Sequence, residues 1–128
     1  MVTHDLVGNG RQATGRCGYH AGLAAEDGVA SDYARRGYPQ LARRWRGQAG
    51  EIDLVVQDGD GVVMVEVKKS RSFARAADRL SQRQIGRLMQ AAEEFLSTQP
   101  RGSLTDVRFD VALVNARGEI KVIENALY

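Results

Sequence analysis

Four charged residues stand out by type and spacing: Glu51-x-Asp53 and, across twelve intervening residues, Glu66-x-Lys68. Both pairs lie in segments rich in β-branched residues, Glu51 to Gln57 and Val62 to Lys68, joined by Asp58-Gly59-Asp60-Gly61. That pattern predicts a β-hairpin. A two- or four-residue loop centred between Gly59 and Asp60 pairs residues whose numbers sum to 119, so Asp53 faces Glu66 and Glu51 faces Lys68. Strand alternation sends these four side chains to one face and Ile52, Leu54, Val65 and Val67 to the other.

Two carboxylates directly opposite one another, with Cβ atoms about 4.5–5.5 Å apart, repel. Glu66 also interrupts Val62-Val63-Met64-Val65-x-Val67, which otherwise reads as an interior strand where an unpaired carboxylate is expensive. A divalent cation held by Asp53 and Glu66 removes both costs. Mg²⁺, with Mn²⁺ as its substitute, suits one or two carboxylates that also face phosphate. Lys68 can polarise a water or stabilise charge developing on a phosphate, so Asp-x₁₂-Glu-x-Lys implies metal-dependent phosphodiester hydrolysis. Glu26, three residues after Leu23 and three before Val29, lies along the apolar stripe of a helix and can approach the same metal. Each feature also has a purely structural reading: a polar hairpin face closed by salt bridges, and a helix acid favoured by the dipole.

The elements that position these residues follow from periodicity. Residues 1–17 are polar and glycine-rich, as expected of a loose tail ahead of a single domain over 18–128. Leu23, Glu26, Val29, Ala30 and Tyr33 predict a helix from about Gly18 that Gly37 and Pro39 stop. Tyr38 to Trp45 is a candidate edge strand preceding the hairpin. Ser81-Gln82-Arg83-Gln84 has the form of a capping box opening a second helix through Ile85, Leu88, Met89, Ala92, Phe95 and Leu96, with Pro100 beyond its end. Val107, Phe109, Val111 and Leu113 alternate along a strand within Asp106 to Asn115, and a shorter strand spans Glu119 to Glu124. The order α-β-β-β-α-β-β predicts an α/β fold, a small mixed sheet packed between helices.

Charge is more informative by position than in total. The chain carries a formal +2 over 128 residues, but residues 35–87 alone carry +6 and the remainder −4. Fifteen of its eighteen cations are arginine, which grips phosphate oxygens bidentately. This points to a nucleic-acid-facing middle segment, although arginine-rich composition and a solvated surface give the same count. The candidate phosphate contacts are Arg43, Arg44, Arg46, Lys69, Arg71, Arg75, Arg83, Gln84 and Arg87. Arg71, Arg75, Arg79, Arg83 and Arg87 recur every four residues and would line one face if the segment were helical throughout.

Other chemistries find no support. His4 and His20 do not combine with the single Cys17 at a zinc-site spacing, and neither glycine cluster opens a phosphate loop. No local motif supplies a base for a serine or cysteine nucleophile. Tyr38 and Trp45 read as core or edge residues rather than stacking platforms. Without a membrane-length apolar run or a signal-peptide core, and with one cysteine, the expected location is the cytoplasm.

Gly50-Glu51-Ile52-Asp53-Leu54-Val55, Val63-Met64-Val65-Glu66-Val67-Lys68, Ala25-Glu26, Arg35-Arg36-Gly37-Tyr38 and Arg108-Phe109-Asp110-Val111 together resemble the YraN family of bacterial proteins over about residues 18 to 125. That family is similar in expected fold to restriction-endonuclease-like PD-(D/E)xK nucleases. The resemblance implies metal-ligand roles for Asp53 and Glu66, a catalytic lysine at Lys68 and a first-helix glutamate at Glu26. It also implies DNA, including branched or structured DNA, as substrate, and a homodimer as assembly. Ile52 stands where the wider motif has proline, and Gln84 where many relatives carry lysine, so charge is missing there. A non-catalytic nucleic-acid-binding or complex-assembly protein on the same fold, or a dimerisation module that buries the hairpin face, is the alternative.

Overall fold

The computed structural model describes residues 10–127, with side chains in the first helix from Gly22 onward. Its elements are α1 (Gly10–Arg35), β1 (Gln40–Arg46), β2 (Glu51–Asp58), β3 (Gly61–Lys69), α2 (Phe73–Asp78), α3 (Gln82–Leu96), β4 (Val107–Val114) and β5 (Ile120–Ile123), with a 3-10 turn at Gly102–Leu104. Helix α1 starts at Gly10, ahead of the expected Gly18; residues 1–9 of the expected tail lie outside the described residues. It ends as the sequence predicts, with Gly37 at φ +91° and the Tyr38 N–H donating to the Tyr33 carbonyl.

The five strands form one mixed sheet in the order β1-β2-β3-β4-β5, antiparallel except where β3 and β4 run parallel. Both faces are covered, as the apolar content of the central strands requires. Ala25, Val29 and Tyr33 of α1 pack on Leu54, Val56, Val63 and Val65, while Leu88, Ala91, Ala92 and Phe95 of α3 pack on Ile52, Val55, Val62 and Met64. Phe109, Val111 and Leu113 share the face beneath α2 and α3, as their alternation predicts. None of the helices among the described residues is long and apolar enough to cross a membrane.

Ser81 and Gln84 form the expected capping box at the start of α3. The arginine repeat does not run along one helix, however. A short α2 capped by Ser72 ends at Asp78, and a new helix begins after Ser81, so Arg75 and Arg83 belong to different elements. Six residues give too few turns for periodicity to reveal α2.

A buried polar cluster fastens α1 to β4. Asp110 has no solvent exposure and accepts from Arg108 Nε and Nη2, each at 2.9 Å, from the Tyr33 hydroxyl at 2.7 Å and from the Asn125 N–H at 3.0 Å. Burial and this carboxylate push the Tyr33 hydroxyl well above its usual range, and hydrogen bonding to Asp110 does the same for Arg108.

Candidate active site

The hairpin register is the one the turn dictates. Leu54↔Val65, Val55↔Met64, Val56↔Val63, Gln57↔Val62 and Asp58↔Gly61 all obey it, closed by a two-residue turn with Gly59 at φ +61°. Pairing between β2 and β3 stops at Leu54↔Val65, one step short of Asp53 and Glu66. Beyond that step β2 stays paired with β1 to Arg46↔Glu51, and β3 stays paired with β4 to Lys69↔Val114. The sheet is therefore forked at Asp53 and Glu66.

Side-chain chemistry makes the fork. Asp53 Oδ2 accepts the Val67 N–H at 2.8 Å, so a carboxylate occupies a backbone donor between the two strands. Alternation slips at the same place: Ile52 packs under α3 whereas Leu54 packs under α1, which corrects the expectation that both share a face. Strand β1 slips opposite it, with Arg44 at φ +51° and both Ala42 and Trp45 on the α3 side. The charged residues that flank the fork take separate partners. Glu51 Oε2 meets Arg46 Nη2 at 3.3 Å, while Lys68 Nζ meets Glu66 Oε2 at 3.1 Å.

Asp53 and Glu66 are thus brought close enough to shift each other's titration, with Lys68 beside them. Glu66 and Lys68 side chains are each 14% exposed. Burial, followed by repulsion from Glu66, pushes the Asp53 carboxyl up to about 7, against the lowering effect of the Val67 N–H. Burial raises Glu66 too, opposed by the Lys68 charge. Glu26 adds to the negative potential at both. Its own carboxylate is gripped by Arg44, with Nε to Oε1 at 2.7 Å, and is 11% exposed. Among the described residues no three or more histidine, cysteine, aspartate or glutamate side chains close into a metal cage.

The candidate phosphate contacts divide in two. Arg43 pairs with Asp27, Arg44 with Glu26 and Arg46 with Glu51, so the cations of β1 are committed to acids of α1 and β2. Lys69, Arg71, Arg75, Arg83 and Arg87 make no carboxylate pair among the described residues and follow the end of β3, α2 and the first turns of α3. Gln84 spends its side chain on the Ser81 N–H, at 3.3 Å, in the capping box. Arg79, which the sequence marks only as one member of a repeat, instead lines a cavity of about 540 Å³ together with Glu26, Lys68, Lys69 and Arg71.

Residues 25–114, from α1 through the end of β4, match the uncharacterised protein family UPF0102, which is the YraN family. The chain belongs to the YraN family. A UPF0102 protein of Cereibacter sphaeroides is 57% identical over 113 residues, covering 88% of this chain and 97% of the relative. One from Roseobacter denitrificans is 55% identical over 119 residues, 93% of this chain and 92% of its own. A third, from Ruegeria pomeroyi, is 58% identical over 106 residues, 83% and 86% of the two chains. The matched YraN region contains Glu26, Asp53, Glu66, Lys68 and the cations from Lys69 to Arg87 that make no carboxylate pair among the described residues.

Proposed function

We propose that this YraN-family protein is a metal-dependent nuclease of the restriction-endonuclease-like PD-(D/E)xK group, hydrolysing phosphodiester bonds in DNA at branched or otherwise structured sites. One observation carries the reading: two neighbouring buried carboxyls at a sheet fork, both raised by burial, with a lysine 3.1 Å from one of them. The mixed sheet between α1 and α3 supports it as a scaffold of the right class.

The donor set fits a divalent ion. Asp53 and Glu66 are short of positive charge, since burial and repulsion raise both and Lys68 offsets only part of this. Two carboxylates are enough for Mg²⁺, which keeps several waters and takes further oxygens from phosphate; Mn²⁺ would serve in its place. When bound, the ion supplies Lewis acidity toward the phosphoryl group and lowers the pKa of water. Asp53 and Glu66 hold the site, and Asp53 is itself fixed by the Val67 N–H. Lys68 places positive charge where a phosphate gains negative charge in the transition state. Glu26, tethered by Arg44, adds potential that favours a cation. The arginines of α2 and α3 hold the nucleic-acid backbone.

Incubating the native chain with Mg²⁺ and single-stranded, duplex or four-way DNA tests the reading. Cleavage is expected, and it should vanish in Asp53→Asn and Glu66→Gln. Activity that survives both substitutions would be a contaminant's. Salt-sensitive binding by the native chain without cleavage would overturn the nuclease and favour a binding module, for which the unpaired arginine run alone suffices. The reading carries a homodimer, which sedimentation of the free chain checks.

A further inference from the structure

Beside the fork, α1, the end of β3 and the α2 region enclose the cavity of about 540 Å³. Its walls are Gly22 and Ala25 of α1, Val67 of β3 and Ala116 of the β4–β5 turn. None of these side chains is larger than valine, so the walls are flat and apolar. Its charged lining is different. Lys68 is matched by Glu66 and Glu26 by Arg44, but Lys69, Arg71 and Arg79 have no carboxylate partner among the described residues. The Arg79 guanidinium and the backbone that carries Lys69 and Arg71 are held in place all the same. Arg79 Nη1 donates to the Lys69 carbonyl at 3.1 Å, the Ser70 N–H donates to Val114 O at 3.0 Å, and the Ala116 N–H donates to the Arg71 carbonyl at 3.5 Å.

We infer that this cavity is a binding site for one unpaired nucleotide of a nucleic-acid strand, its phosphate on Lys69, Arg71 and Arg79 and its base against the apolar walls. Three cations on an anchored segment, without a carboxylate partner among the described residues, call for an anion that accepts several hydrogen bonds, which phosphate does. The volume falls within the range of about 300–1,000 Å³ that encloses small organic molecules, far more than a bare phosphate fills. A base inside a duplex cannot enter without being unstacked and unpaired, whereas a single-stranded base enters freely. The inference deepens the nuclease reading and rests on it for the strand: the cavity adjoins Lys68, so the held nucleotide lies next to the bond to be cut, and the substrate class is DNA with a single-stranded segment at that position.

Binding measured with the full chain in chelator separates this site from cleavage. A blunt hairpin duplex is compared with the same duplex carrying a single-stranded tail, by fluorescence anisotropy. The tailed form should bind about tenfold tighter, and thymidine monophosphate should compete that advantage away. A Cβ added at Gly22 meets nothing within 4 Å, so Gly22→Leu fills the cavity while improving helix propensity, and it should erase the preference for the tail. Arg79→Gln should weaken the tailed duplex selectively; Arg87→Gln, outside the cavity, should weaken both duplexes alike. Equal binding of blunt and tailed DNA by the native chain, or a preference that persists in Gly22→Leu, overturns the inference. Thymidine monophosphate binding without any tail preference would overturn the assignment to a strand in favour of a free-nucleotide site. A tail preference in a chain that never cleaves with Mg²⁺ would remove the nuclease reading alone; cleavage without the preference would remove this site alone.

Discussion

Two regions of the molecule bury carboxyl groups, and they treat them in opposite ways. At Asp110, one carboxylate receives four donors, two of them from a guanidinium, at 2.7–3.0 Å, while Asp58 and Glu124 stand farther from that guanidinium at 3.8 and 3.7 Å. At the fork, Asp53 and Glu66 share one backbone donor and one lysine; burial raises both carboxyls, and Glu66 raises Asp53 further. The first arrangement is complete as it stands and serves to fix β4 against α1. The second gathers two carboxyls around fewer donors inside a partly buried site, where unbalanced charge is costly. Burial of an acid therefore signals structure or chemistry according to whether the fold supplies its counter-charges.

The contrast can be broken most forcefully at Asp110. Asp110→Ala strands the buried Tyr33 hydroxyl and removes the close partner of Arg108, which keeps only Asp58 and Glu124 at 3.8 and 3.7 Å, and should cost about 3 kcal/mol of stability in urea denaturation. Asp53→Asn should act with the opposite sign. It keeps an acceptor for the Val67 N–H, gives Glu66 a donor and removes the repelling charge. Each pKa unit of upward shift corresponds to about 1.4 kcal/mol, and discounting for partial exposure leaves a gain of about 2 kcal/mol at pH 8 in metal-free protein. A loss of stability comparable to that at Asp110 would collapse the distinction.

Tyr33→Phe sharpens the first half of the comparison. Asp110 keeps three donors, so the expected loss is only about 1–1.5 kcal/mol. The pH profile sharpens the second half. Asp53 titrates at about 7 when folded against 3.8 as a free side chain, so the folded chain binds this proton more tightly. This group's contribution to stability is accordingly greatest at low pH and is lost as pH rises from about 4 to about 7, and Asp53→Asn should flatten that part of the profile. Mg²⁺ should restore a few degrees of melting temperature to the native chain at pH 8, less at pH 5, and nothing in Asp53→Asn.

Much of this site was legible locally. The Asp58-Gly59-Asp60-Gly61 turn and the flanking β-branched runs were sufficient for the strand register, and hence for the proximity of Asp53 and Glu66. The helix stop at Gly37, the capping box at Ser81 and the alternation through Phe109 and Leu113 were equally visible, because each is set by neighbours a few residues away. The fork was not legible. It depends on the Asp53 carboxylate reaching the Val67 N–H and on a matching irregularity at Arg44 in the adjacent strand. Helix α2 was too short to announce itself, and the Asp110 cluster draws its donors from α1, β4 and the segment after β5.

Local sequence is enough to say which acids come near one another, because register follows from turn length and residue parity. Which cations remain available is a matter of packing: α1 and β2 bring acids to Arg43, Arg44 and Arg46, whereas among the described residues no carboxylate pairs with Lys69, Arg71 or Arg79. Charge along a chain is additive, but its neutralisation is a contact between distant elements, and only packing specifies it.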